Sequence, residues 1–186
     1  MGGVILFGWI DFDGKDADGI MRAAANGEID TIVLLGCDPI EDYPDAALAR
    51  QALERVTTLV AVDAFATSST GLADVILPAA LFGEADGSFL NLEGRLSPLA
   101  AKVTPPGQAK VDWMIAVELA STLGIDLGFV TLDELRAELG ATAASLAGLD
   151  FARLASADDG PIIALKRQWV LEFGDAAVPP TLGNYG

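Results

Sequence analysis

The sequence predicts an α/β protein: a Rossmann-like wound, mainly parallel sheet that carries an extended arm and a helical carboxyl-terminal appendage. Two observations predict it. Short apolar runs alternate with stretches of helical period through the first 80 residues, the order from which right-handed crossovers build a parallel sheet. From residue 83 this periodicity stops, and it resumes in helical form only beyond Pro105, Pro106 and Gly107.

The elements follow from local chemistry. "GVILFG" (3–8) is a short apolar run suited to a buried strand. "DADGIMRAAANG" then sets Ala17, Ile20, Met21 and Ala24 at helical spacing, with Asp16 as N-cap and Gly27 as stop. "TIVLLG" (31–36) is apolar throughout, which predicts a strand covered on both faces. After Pro44, "DAALARQALERV" places Ala49, Ala52, Leu53 and Val56 on one helical face, and "TLVAV" (58–62) and "ADVILPAA" (73–80) supply two more strands. Residues 83–107 read as an extended arm or weak hairpin lying over the surface. "AKVDWMIAVELASTLG" is a helix with Trp113, Ala116, Val117 and Ala120 on one face, closed by Gly124. "TLDELRAELG" opens on a capping-box pair, Thr131 and Glu134, and ends at Gly140. These segments divide the chain into a Rossmann-like domain over 1–124 and an appendage over 125–186 whose end needs a partner for order.

Composition narrows the function. Of 186 residues 52% are hydrophobic, enough for a sizeable core, yet no apolar run approaches the ~18 residues needed to cross a bilayer. A net charge of −16 repels phosphate backbones and anionic headgroups, so neither nucleic acid binding nor direct membrane insertion is expected. Histidine is absent and Cys37 is the single cysteine, which excludes Ser-His-Asp and Cys-His catalysis, a histidine-ligated zinc site and an iron–sulfur cluster bound by this chain alone. No secretory leader pattern opens the chain, and the expected location is cytoplasmic.

Three stretches carry the candidate sites. "LLGCDP" (34–39) lies at the carboxyl end of a strand, where wound sheets bind ligands; Gly36 would permit close backbone approach and Asp38 would accept hydrogen bonds, or the pair would form a turn that caps the next element. "DAFATSSTGLAD" (63–74) brings Thr67, Ser68, Ser69 and Thr70 to the same edge, to touch a ligand or to satisfy loop backbone. The arm "DGSFLNLEGRLS" (86–97), preceded by Glu84, presents Asn91, Glu93 and Arg95 at alternate positions. Asp11, Asp13, Asp16 and Asp18 crowd one loop, but Lys15 and Arg22 stand where an EF-hand requires oxygen ligands. No Gly-rich dinucleotide fingerprint or P-loop is present.

Taken in order, "TIVLLGCDP", "VDAFATSSTGLADVILPAALFGEADGSFLNLEGRL" and "VTPPGQAKVDWMIAVELASTLG" resemble the molybdopterin oxidoreductase family over roughly residues 28–124. Glu84, Asp86, Gly87, Phe89, Asn91, Glu93 and Arg95 fit that family's arm, and "EGR" (93–95) is similar to the branch that forms the large iron–sulfur subunit of NADH-quinone oxidoreductase, respiratory complex I. The resemblance implies a fragment of a longer subunit that acts as scaffold in the respiratory complex. Electrons would pass from NADH to quinone through iron–sulfur clusters elsewhere in the parent subunit, and this chain would hold no cofactor. Its partners would be the remainder of that subunit and other peripheral-arm subunits. Gly36, Asp38 and Thr67 would form a vestigial pterin-dinucleotide edge, while Glu84, Asn91, Glu93 and Arg95 would clasp the arm to the wound domain. Two other readings stay open: a cofactor-binding fragment of a formate-dehydrogenase-like enzyme, and a stand-alone nucleotide-binding or interaction module.

Overall fold

The computed structural model describes residues 15–90, 95–142, 146–149 and 151. The apolar run at 3–8, the aspartates at 11 and 13, Asn91, Glu93 and most of the appendage lie outside the described residues.

Helix α1 (Ala17–Ala25) starts where Asp16 accepts a hydrogen bond from the Gly19 amide at 2.8 Å, and it stops at Asn26 and Gly27, the latter at φ +77°. Strand β1 (Thr31–Leu35) follows, then a single helical turn, α2 (Pro39–Asp42). Helix α3 (Ala46–Arg55) is capped by Asp45, whose carboxylate accepts from the Leu48 amide at 2.9 Å. Strands β2 (Thr58–Asp63) and β3 (Val75–Pro78) complete a parallel sheet of order β1-β2-β3, with Val33 opposite Val60 and Val60 opposite Val75. The predicted wound α/β core is present.

The main core lies on one face of this sheet. Met21 and Ala24 of α1 and Ala49, Ala52 and Leu53 of α3 pack on Ile32, Leu34, Leu59 and Ala61, with Cys37 and Ile40 at the border. The two helices meet through alanines: Ala24, Ala49 and Ala52 have no exposed surface, so the backbones approach closely above the strands. The opposite face is only partly covered. There helix α4 (Asp112–Thr122) packs Ile115 against Val62, Ala79 and Leu77.

Two elements depart from expectation in the faces they bury. Strand β1 is covered on one face only: Ile32 and Leu34 are buried, whereas Val33 and Leu35 are 44% and 36% exposed, because no described element reaches over their face. On α4 the buried residue is Ile115, and Ala116 is exposed; the helix is apolar nearly all round, so its composition does not select the face that meets the sheet.

The arm is a hairpin with a closed root. Ala79 and Lys110 form a parallel bridge, in which the Lys110 amide donates to Pro78 O (3.1 Å) and the Ala80 amide donates to Lys110 O (2.8 Å). Between them, strands β4 (Gly87–Leu90) and β5 (Leu96–Leu99) pair antiparallel, Phe89 opposite Ser97. Helix α5 (Leu132–Thr142) carries the expected capping box: Glu134 accepts from the Thr131 amide at 2.9 Å, and its own amide donates to the Thr131 hydroxyl at 3.3 Å. It runs through Gly140, whose φ is not positive, to Thr142.

Candidate functional site at the carboxyl edge of the sheet

The loops after β1 and β2 leave the same edge of the sheet and bond to each other. Gly36 takes φ +55°, a left-handed conformation that turns the chain out of β1 while its amide still donates to Val62 O at 2.8 Å. A side chain there would meet no atom within 4 Å, so glycine is required by the backbone angle and not by crowding.

Asp38 joins the loops. Its carboxylate accepts from the Ser68 amide (3.1 Å), the Ser69 amide (3.1 Å) and, through a short contact, the Ser69 hydroxyl. Partial burial acts to raise its pKa, but these bonds and one from the Glu41 amide outweigh it and hold the carboxyl below its ordinary value. Ser69 is fully buried, and its oxygen also accepts from the Ile40 amide at 3.1 Å, which ties the start of α2 to the loop. Beside it the Ser68 hydroxyl donates to Glu41 at 2.8 Å. Thr67 and Thr70 close a turn reciprocally: the Thr67 amide donates to the Thr70 hydroxyl at 2.6 Å, and the Thr70 amide donates to the Thr67 hydroxyl at 3.1 Å.

The structure therefore brings Gly36, Asp38 and Thr67 to one edge, with the side chains of Asp38 and Thr67 engaged by loop backbone. Ser69, which the sequence shows only as one hydroxyl among four, is the hub. Cys37 lies buried below this edge; burial pushes its thiol up to about 11, a Leu35 backbone bond opposes the rise, and the charges of Asp63, Asp42 and Asp38 add to it. Asp63, at the end of β2, accepts from the Phe65 amide at 2.9 Å, and Phe65 itself is 64% exposed. Asp112, at the start of α4, has its carboxyl pushed up by desolvation and then by Asp63, although the residue as a whole is exposed. Neither aspartate stands out in the sequence, because their proximity depends on the fold.

On the arm, Glu84 accepts from the Leu81 amide at 2.8 Å and so caps the 3-10 turn Phe82–Glu84. Asp86 accepts from the Ala101 amide at 3.0 Å, and Gly83 O accepts from Lys102 (2.7 Å) and Val103 (3.1 Å), which fastens the hairpin root to itself. Phe89 meets Phe82 edge to face, centroids 5.6 Å apart. Arg95 is half-buried just before β5, and Leu96 is buried against Leu146, Leu149 and Phe151. Of the aspartates in the first loop, Asp18 binds Arg22 at 2.7 Å and receives the Tyr43 hydroxyl.

Residues 11–122 match the molybdopterin oxidoreductase family. The chain belongs to that family. Among molybdopterin oxidoreductase relatives, the NADPH-Fe(3+) oxidoreductase subunit alpha of Geobacter sulfurreducens is 36% identical over 110 residues, which cover 59% of this chain and 13% of that protein. The F420-dependent formate dehydrogenase subunit alpha of Methanocaldococcus jannaschii is 42% identical over 93 residues, covering 50% and 14%. An NADH-quinone oxidoreductase subunit of Rhizobium meliloti is 41% identical over 86 residues, covering 46% and 10%. The chain thus spans a small fraction of the length of each. Acetylene hydratase from Pelobacter acetylenicus shares the fold at TM-score 0.57 and 24% identity, over 75% of this chain and 20% of that one. No described helix is long and apolar enough to cross a membrane.

Proposed function

We propose that this chain is a scaffold segment of a large oxidoreductase subunit, of the kind that NADH-quinone oxidoreductase carries as its large iron–sulfur subunit, and that it supports electron transfer without performing a redox step. The observation that carries the reading is the Asp38–Ser69 junction. The Asp38 carboxylate at the sheet edge already takes two loop amides and a buried hydroxyl, so this acceptor is satisfied within the chain.

The donors among the described residues do not fit the metal end of a molybdopterin cofactor. Histidine is absent, the single cysteine is buried with its thiol raised to about 11, and no cluster of three metal-binding side chains occurs among the described residues. Three relatives are named as subunits, which supports partners of the same class: the remainder of a parent polypeptide and its companion subunits.

A formate-dehydrogenase-like parent is the second reading, favoured by the identity to the Methanocaldococcus jannaschii formate dehydrogenase and by Gly36, whose turn leaves open space at the edge. Titration calorimetry of the chain with GDP tests the internally satisfied edge. The scaffold reading expects no binding tighter than about 1 mM, and a micromolar Kd would overturn it. Molybdenum and iron assays on the intact parent polypeptide separate the two parents: iron without molybdenum supports the NADH-quinone oxidoreductase kind, and stoichiometric molybdenum supports the other.

A further inference from the structure

We infer that the connector between α4 and α5, residues 123–131, is a docking surface for a region of the parent polypeptide beyond this chain, one that presents an apolar groove rimmed by lysine and arginine. Such docking deepens the scaffold reading and rests on it for the existence of that parent. The connector is held in one conformation by its own bonds. Gly124, at φ +78°, ends α4 in a Schellman motif: its amide donates to Ser121 O at 3.0 Å, and the Ile125 amide donates to Ala120 O at 2.8 Å. Asp126 then accepts from the Gly128 amide at 2.9 Å, and the Val130 amide donates to Glu134 at 2.9 Å. On this bonded turn Leu123, Ile125, Leu127 and Val130 are all exposed, from 40% at Leu127 to 76% at Val130. The apolar contact usual in a Schellman motif would shelter Ile125, but its counterpart here is Ala120, which offers a single methyl group. Single exposed apolar residues are ordinary, whereas four within one ordered turn mark a surface that another surface covers.

Charge selects the cover. From Val111 to Leu135 the sequence holds five acidic residues, Asp112, Glu118, Asp126, Asp133 and Glu134, and no lysine or arginine. The flanking cations Lys110 and Arg136 pair with Glu118 at 2.6 Å and Asp133 at 3.2 Å, so the charge left beside the aliphatic side chains, at Asp126 and Glu134, is negative. Bonds from the Val130 amide and from Thr131 hold the Glu134 carboxyl below its ordinary value and keep it ionised. A second copy would set this acidic stretch against itself in a chain whose net charge is −16, and an anionic bilayer would repel it likewise. A basic rim is the complementary one. A region joined to this chain meets the connector at high effective concentration, ahead of any separate molecule. The relatives leave ample polypeptide to supply it, because the matched segment is only 13%, 14% and 10% of the three described above.

Photo-cross-linking in the intact parent polypeptide tests it, with p-benzoylphenylalanine in place of Val130 and, in a second protein, in place of Ile125. Both positions are exposed, so neither replacement disturbs the core. The expected product joins each position to the same parent peptide, outside residues 1–186, in which lysine or arginine flanks apolar residues. Asp126→Asn keeps an acceptor for the Gly128 amide and removes the charge, and it should lower the yield from position 130 at least about twofold. A yield unchanged by Asp126→Asn would overturn the charge-selected partner. Cross-links confined to residues 1–186, to a second copy, to lipid or to a separate polypeptide would overturn the docking, as would none at all. A gene that encodes nothing beyond these 186 residues would sink the scaffold reading and the docking together, whereas a parent cross-linked elsewhere sinks the docking alone.

Discussion

Ser69 has no exposed surface, and its hydroxyl serves two loops at once, donating to Asp38 and accepting from the Ile40 amide. Ser69→Ala leaves a buried amide and a carboxylate each short of a partner, so it should cost about 1–3 kcal/mol, read as a shift in the urea midpoint at unchanged slope. Asp38→Asn keeps the shape, removes the charge and turns an NH2 donor toward a loop donor, so it should also destabilise. The pH dependence follows from the depressed pKa of Asp38. A carboxyl held below its unfolded value of about 3.9 contributes stability fully above that pH, and the contribution is lost as pH falls through the folded value. The acid limb of an unfolding curve should therefore be shallower in Asp38→Asn than in the parent chain, and identical limbs would assign the acid sensitivity to other carboxylates. The sequence alone shows Asp38 and the hydroxyl run at two strand ends, but not that they bond to each other across some thirty residues. Only the parallel pairing of β1 with β2 brings them together.

At the scale of elements, what was legible is what rests on local rules. Asp16 and Asp45 cap helices, Gly27 stops one, and Thr131 with Glu134 makes the capping box, because each involves groups within three or four residues. Faces were less legible. The apolar run of β1 implies two covered faces, yet cover comes from α1 and α3 on one side only. The alanines of α3 look like a weak stripe in the sequence, whereas in the fold their small size lets α1 approach. Enlarging one should therefore destabilise: Ala52→Leu, at a position with no exposed surface, is expected to cost about 1–3 kcal/mol by calorimetry. Asp16→Ala, which removes a local cap and no packing, should cost about 1 kcal/mol.

The described residues contain three apolar centres. The first joins α1, α3 and the sheet; the second joins Leu96 of the hairpin to Leu146, Leu149 and Phe151, with Arg136 of α5 stacked over the Phe151 ring at 5.5 Å; the third joins Ile115 of α4 to Val62, Leu77 and Ala79. The hairpin root is fixed to β3 through Lys110, whose ammonium also pairs with Glu118 of α4 at 2.6 Å, an exposed pair that adds little by itself. The arm is thus held at its root by backbone bonds and at its far end by the appendage, so its rigidity depends on residues beyond 124. Leu96→Ala tests this division. Truncating a buried leucine removes the central contact of the second centre, and exchange at the β4 and β5 amides should accelerate at least about tenfold. The amides of Ile32, Leu34 and Leu59 should keep their protection, because nothing in the first centre touches Leu96. Loss of protection in both sets together would mean that the hairpin and the sheet unfold as one cooperative unit.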